Sequence, residues 1–143
     1  MKKPWEWIVA GAVLLVVLLV SSTVASLQLR SRAVGEASKA GTRFLSALDA
    51  HDYAGAHALL DTSQQQAVTL SAMQRAEEDI EKKHGKPLGN PVVDEYHPNQ
   101  DLTSVTLSCD NAYQDGGGPI RVVMAKTPGG WRVSEYHYDF SPA

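Results

Sequence analysis

The chain has 143 residues, a formal net charge of −3 and 43% hydrophobic residues. From Ala33 onward 15 acidic residues stand against 9 basic ones, and the resulting net charge of −6 repels phosphate backbones and argues against a nucleic-acid partner. A lone cysteine, Cys109, excludes an intramolecular disulfide and a cysteine-based zinc cluster.

Residues 1–6 form a short basic tail carrying Lys2 and Lys3, and residues 7–29 are an uncharged run of 23. Its centre, Ile8 to Val20, has no polar side chain, and about 20 helical residues suffice to cross a hydrocarbon core of about 30 Å. Trp5 and Trp7 stand where indole rings favour the headgroup level. The run reads as a transmembrane helix acting as a signal anchor. A cleavable export signal is the alternative, with Thr23-Val24-Ala25 and Val24-Ala25-Ser26 as small-residue cleavage sites. Ser22 and Ser26 form one small-xxx-small pair. Arg30, Arg32, Lys39 and Arg43 follow, so a bare count of flanking positive charges places the C-terminal side in the cytoplasm.

Residues 30–36 read as a juxtamembrane linker and helix start, and residues 37–143 as one compact α+β domain. Ala37, Ala40, Phe44, Leu45 and Leu48 fall at helical spacing and predict a helix over 33–50, weakened by Gly41. Asp52 is a good N-cap for a short second helix whose inner stripe is Tyr53, Ala56, Leu59 and Leu60. Asp61-Thr62-Ser63 ends it, and a polar Gln64-Gln65-Gln66 stretch leads to a third helix. There Ser71 and Gln74 suit a capping box, Met73, Ala76 and Ile80 point one way, and the charged residues read as a solvated face. Gly85 supplies the positive φ that closes it and Pro87 prevents resumption.

After Pro87 the period changes from helical to alternating. Val92 to His97, Leu102 to Tyr113, Ile120 to Lys126 and Trp131 to Phe140 read as four strands. The turns between them are Pro98 to Asp101, Asp115 to Pro119 and Thr127 to Gly130, each with Gly or Pro. Short turns imply an antiparallel meander. Cys109 alternates with Val105 and Leu107 and reads as a small buried hydrophobe.

Ala40 to Leu48 (Ala-Gly-Thr-Arg-Phe-Leu-Ser-Ala-Leu) followed by His51 to Leu60 (His-Asp-Tyr-Ala-Gly-Ala-His-Ala-Leu-Leu) resembles the opening of nuclear-transport-factor-2-like domains. Gly129 to Tyr136 (Gly-Gly-Trp-Arg-Val-Ser-Glu-Tyr) is similar to that family's last strand. The resemblance implies a cone-shaped, cystatin-like roll of three helices packed on a bent four-stranded antiparallel sheet. It also implies export of the domain to the cell envelope, as in small bacterial membrane-anchored members of unassigned function. Other members are ketosteroid-isomerase-like or dehydratase-like enzymes, or subunits of membrane secretion and assembly complexes. These matching residues are packing motifs and carry no chemistry, so function rests on the site.

Enzymes of this type place acid–base residues inside the cone. By simple alternation Glu135, His137 and Asp139 share one face with Trp131 and Val133, a carboxylate–imidazole–carboxylate row suited to proton transfer if that face stays inside. If the strand runs past the core edge, the same three groups are solvated. His57 and Asp61, one helical turn apart, suit metal or general-base work, but no third ligand stands at a recognisable spacing. Neither a metal nor a cofactor is expected. Tyr53, Tyr113, Trp131, Tyr136 and Tyr138 are the candidates for a cone-mouth pocket that takes an apolar small ligand or a protein partner, core packing being the alternative. The expected role is a single-pass, membrane-tethered, non-catalytic binding domain. The oligomeric state is not legible.

Overall fold

The computed structural model describes residues 4–89 and 91–140. Lys2, Lys3 and the last three residues of the expected domain lie outside the described residues. The first element is a single helix, α1 (Pro4–Asp49), where the sequence suggested a span, a linker and a separate helix. Arg30 to Gly35 contains no proline, and one glycine costs a helix only about 1 kcal/mol, so nothing interrupts the hydrogen-bond ladder. The boundary between two compact units falls between Ala33 and Val34. In the first unit the apolar side chains are exposed, Ile8, Leu14 and Leu18 each by more than 60%. An 18-residue window there has a mean hydropathy of 2.6, long and apolar enough to cross a membrane.

The second unit begins with the rest of α1, followed by α2 (Tyr53–Ala58), α3 (Thr62–Ala67) and α4 (Leu70–His84). Asp52 caps α2 as expected, its side chain accepting from Gly55 N at 3.0 Å. α3 is an addition: Asp61 accepts from Gln64 N at 2.8 Å and turns the expected polar connection into one more short helix. At α4 the cap is Thr69, accepting from Ala72 N, whereas Gln74 reaches forward to Glu78. The expected Ser71–Gln74 box is therefore not the one used. The helix stops at Gly85, whose φ of +77° a side chain would rarely adopt.

Four strands follow, β1 (Val92–Pro98), β2 (Ser104–Tyr113), β3 (Gly116–Thr127) and β4 (Gly130–Tyr138), in sheet order β1-β2-β3-β4, all neighbours antiparallel. The β2–β3 turn is tighter than expected. Tyr113 pairs with Gly116 and Pro119 with Asp110, so the three glycines belong to β3. The core lies between helices and sheet, with Phe44, Leu45, Leu60, Met73, Leu107 and Ile120 at 1% exposure or less. Cys109 joins it at 1%, and burial pushes its thiol up to about 11. Gly41 lets α1 lie against β2: a Cβ there would stand 2.5 Å from Leu107 Cδ1. Loop and strand also knit at Leu59 to Asp61, where Asp61 N donates to Val133 O and Val133 N to Leu59 O.

One irregularity decides which side chains of β4 face the core. Val123 pairs with Glu135 but Met124 with Val133, leaving Ser134 as an extra residue in β4. Its hydroxyl donates to Val123 O at 3.1 Å. Up to the bulge Trp131 and Val133 point inward; beyond it Tyr136 and Tyr138 pair with buried Val122 and Ile120 and take over the inner face.

Candidate functional site

The Ser134 bulge corrects the alternation on which the conditional acid–base row rests. Glu135, His137 and Asp139 do not share a face with Trp131 and Val133, because one extra residue inverts the alternation. Glu135 and His137 are exposed. Asp139 sits between Arg121 and His137, accepting from Arg121 Nη2 at 3.1 Å and standing 3.2 Å from His137 Nε2. Asp139, Arg121 and His137 form a polar cluster away from the core. His57 and Asp61 are not paired either: His57 Nε2 meets Val68 O at 2.7 Å, while Asp61 caps α3. Among the described residues no group of three or more His, Cys, Asp or Glu side chains is placed to hold a metal ion.

The aromatic candidates divide. Tyr136, Tyr138 and Tyr113 belong to a chain of edge-to-face rings: Phe44 to Tyr136 at 5.0 Å, Tyr136 to Tyr138 at 6.2 Å, Tyr138 to Phe140 at 5.3 Å and Phe140 to Tyr113 at 5.2 Å. Such pairs contribute about 0.5–1.5 kcal/mol each beyond area burial. Trp131 stands apart at the start of β4, buried, its indole N–H without a protein acceptor. Tyr53 lies beside His51, ring centroids 5.8 Å apart, and faces the acidic side chains of α4.

Inside this aromatic wall is a polar centre that the sequence reading placed on a solvated face. Glu77 of α4 is only 4% exposed. Tyr138 Oη reaches both its oxygens, at 2.6 Å from Oε1 and 2.7 Å from Oε2. Burial pushes the Glu77 carboxyl up to about 7; the phenol opposes this, and the nearby Asp49 and Glu81 carboxylates reinforce it. Next to it Asn111, 2% exposed, donates from Nδ2 to Asp49 Oδ1 at 3.1 Å, and its own Oδ1 has no protein donor. Burial also raises Asp49, against the pull of that hydrogen bond. At the rim His51 Nε2 meets Glu81 Oε1 at 2.5 Å. The phenols share the apolar setting: burial raises Tyr136 to about 12 and lifts Tyr113 and Tyr138 further.

The signal for Glu77 was present in the spacing. Met73, Glu77, Ile80 and His84 recur at intervals of four, three and four, one helical stripe. A glutamate in such a stripe is readable as buried only when its partner is known, and Tyr138 comes from the far end of the chain. Chemically, the centre offers a carboxyl that exchanges its proton near neutrality, backed by a phenol and a second carboxyl held by an amide.

No family model matches the chain, and no curated protein matches it. Among solved structures, the crystal structure of "a putative dehydratase from the NTF2-like family" of Streptomyces avermitilis superposes with a TM-score of 0.53 at 15% identity. The match covers 79% of this chain and 97% of that one. The fold is therefore the α+β roll of the nuclear-transport-factor-2-like type.

Proposed function

We propose that the chain is a single-pass, membrane-tethered, non-catalytic domain of nuclear-transport-factor-2-like fold. It binds a protein partner or an apolar small ligand at the cell envelope, with the C-terminal domain on the exported side. The observation that carries this reading is the exposed apolar stretch of α1, long and apolar enough to cross a membrane, together with a roll whose core is filled by its own side chains. The sequence resemblance to exported, anchored domains supports the orientation. Two measurements test it. Full-length protein stays in the membrane pellet after alkaline extraction, and Asp115→Cys, at an exposed position of the β2–β3 turn, reacts with an impermeant maleimide on intact cells in a Cys109→Ser background. Recovery of uncleaved protein in the soluble fraction, or labelling only after lysis, refutes the assignment.

Glu77 favours a second reading, a proton-transferring isomerase or dehydratase like the solved neighbour's description. In that case the acid–base pair is Glu77 with Tyr138, and not the exposed His137. Turnover of a hydroxy-carbonyl compound that survives His137→Ala and disappears in Glu77→Gln supports the enzyme; equal loss in both variants, or no turnover, removes it.

A further inference from the structure

Glu77 is the side chain in the polar centre whose charge state the surroundings constrain most tightly. A phenol has one proton to give, yet Tyr138 Oη lies within hydrogen-bond distance of both carboxyl oxygens. A neutral acid fills both contacts, because Tyr138 donates to the carbonyl oxygen and the acid's own O–H donates back to the phenol. A carboxylate leaves the single phenolic proton shared between two anionic oxygens.

The groups facing Glu77 make that second state unfavourable. From α1 comes Asp49 and from its own helix Glu81, both adding negative charge. His51, after α1, brings a positive charge when protonated, but it is already engaged by Glu81. The sheet contributes the phenols Tyr113 from β2 and Tyr136 and Tyr138 from β4, and α2 contributes Tyr53. Each of these phenols is neutral at ordinary pH, so apart from the hydrogen bond that Tyr138 donates, none of them compensates an ionised Glu77. Met73, one turn earlier on α4, is fully buried, so the helix has no apolar slack to take the charge up.

We propose that the Glu77–Tyr138 contact is a proton-operated latch: the neutral acid holds α4 on the sheet, and ionisation releases the C-terminal half of that helix. The carboxylate relieves its burial by turning toward water, and α4 must shift for it to do so. That half of α4 also carries Glu78, Glu81 and Lys82, which with Gly85, Lys86 and Gln114 line a surface cleft of about 440 Å³. Proton release at Glu77 therefore changes the shape of that cleft and breaks the packing that seats Glu81 against His51.

The test is amide hydrogen exchange on the full-length chain in non-ionic detergent micelles at about pH 5 and about pH 8, corrected for intrinsic exchange. The latch predicts that α4 amides lose protection by about tenfold or more relative to β3 amides as pH rises, and that Glu77→Gln reduces this loss to under about twofold. Unchanged α4 protection in the wild type, or an equal loss in Glu77→Gln, overturns it. Should that variant fail to fold, the wild type is read directly by infrared spectroscopy with ¹³C-labelled glutamate. A neutral-carboxyl band at about pH 6 that vanishes by about pH 8 supports the latch, and its absence at about pH 6 overturns it.

Discussion

The stability of the domain should fall as the pH rises from about 4.5 to about 7, and Glu77 sets the size of the fall. Its carboxyl moves from 4.5 in the open chain to about 7 in the fold. At about 1.4 kcal/mol per pKa unit the folded state is favoured by about 3 kcal/mol while the proton is kept. The folded value is the higher one, so this contribution is present in full below about pH 4.5 and is gone above about pH 7. For a domain of this size about 3 kcal/mol corresponds to about 10–15 °C in the unfolding midpoint. Thermal unfolding of full-length protein in micelles, followed by near-ultraviolet circular dichroism from about pH 4 to pH 8, measures it. Glu77→Gln keeps the shape and the acceptor for Tyr138 but cannot titrate. The variant should lose most of the pH slope, the remainder arising from Asp49, whose carboxyl is raised in the same direction. A wild-type midpoint flat across that range, or the same slope in Glu77→Gln, refutes the reasoning.

Gly41→Ala brings a methyl against Leu107 Cδ1 in a filled core, and chemical denaturation should show a loss of about 1–3 kcal/mol that Leu107→Val partly relieves. Asn111→Asp sets a second carboxylate on Asp49 and should cost about 1–3 kcal/mol at neutral pH, with less loss in acid, as read by the same denaturation curves. Cys109, 1% exposed with its thiol raised by burial to about 11, should resist maleimide in the native state and react at once in denaturant. Rapid native labelling would place it outside the core.

Local signals carried much of this architecture. Asp52 before Tyr53, Gly85 after His84, and the alternation of Val105, Leu107 and Cys109 each act within a few residues, so their meaning needs no knowledge of distant chain. The helix-then-meander order and the apolar run belong to the same class. What the sequence did not show depends on pairing across the fold. Ser134 is an extra residue only by reference to Val123 and Met124 on β3, and alternation counted along β4 alone puts His137 on the wrong face. Glu77 looked solvated because Glu78 and Asp79 beside it are exposed; its burial follows from Tyr138, brought in by β4. The three glycines read as a turn because glycine permits one, yet the register with β2 draws them into a ladder. Tyr113 and Tyr136 were legible as candidate pocket aromatics, but the inward turn of Tyr136 follows only from the bulge, and the bridging of Tyr113 to Tyr138 by the ring of Phe140 was not legible.

Ser134 makes the parity of β4 position-dependent: interior positions carry odd numbers before it and even numbers after it. Drawing that serine into a regular ladder would leave the composition of the strand untouched while exchanging its lining, sending an imidazole and two carboxylates inward and three aromatic rings out to water. Two homologues of equal length here, one bulged and one regular, would thus own chemically opposite interiors under nearly identical sequences, whereas a gap at the serine would preserve the lining.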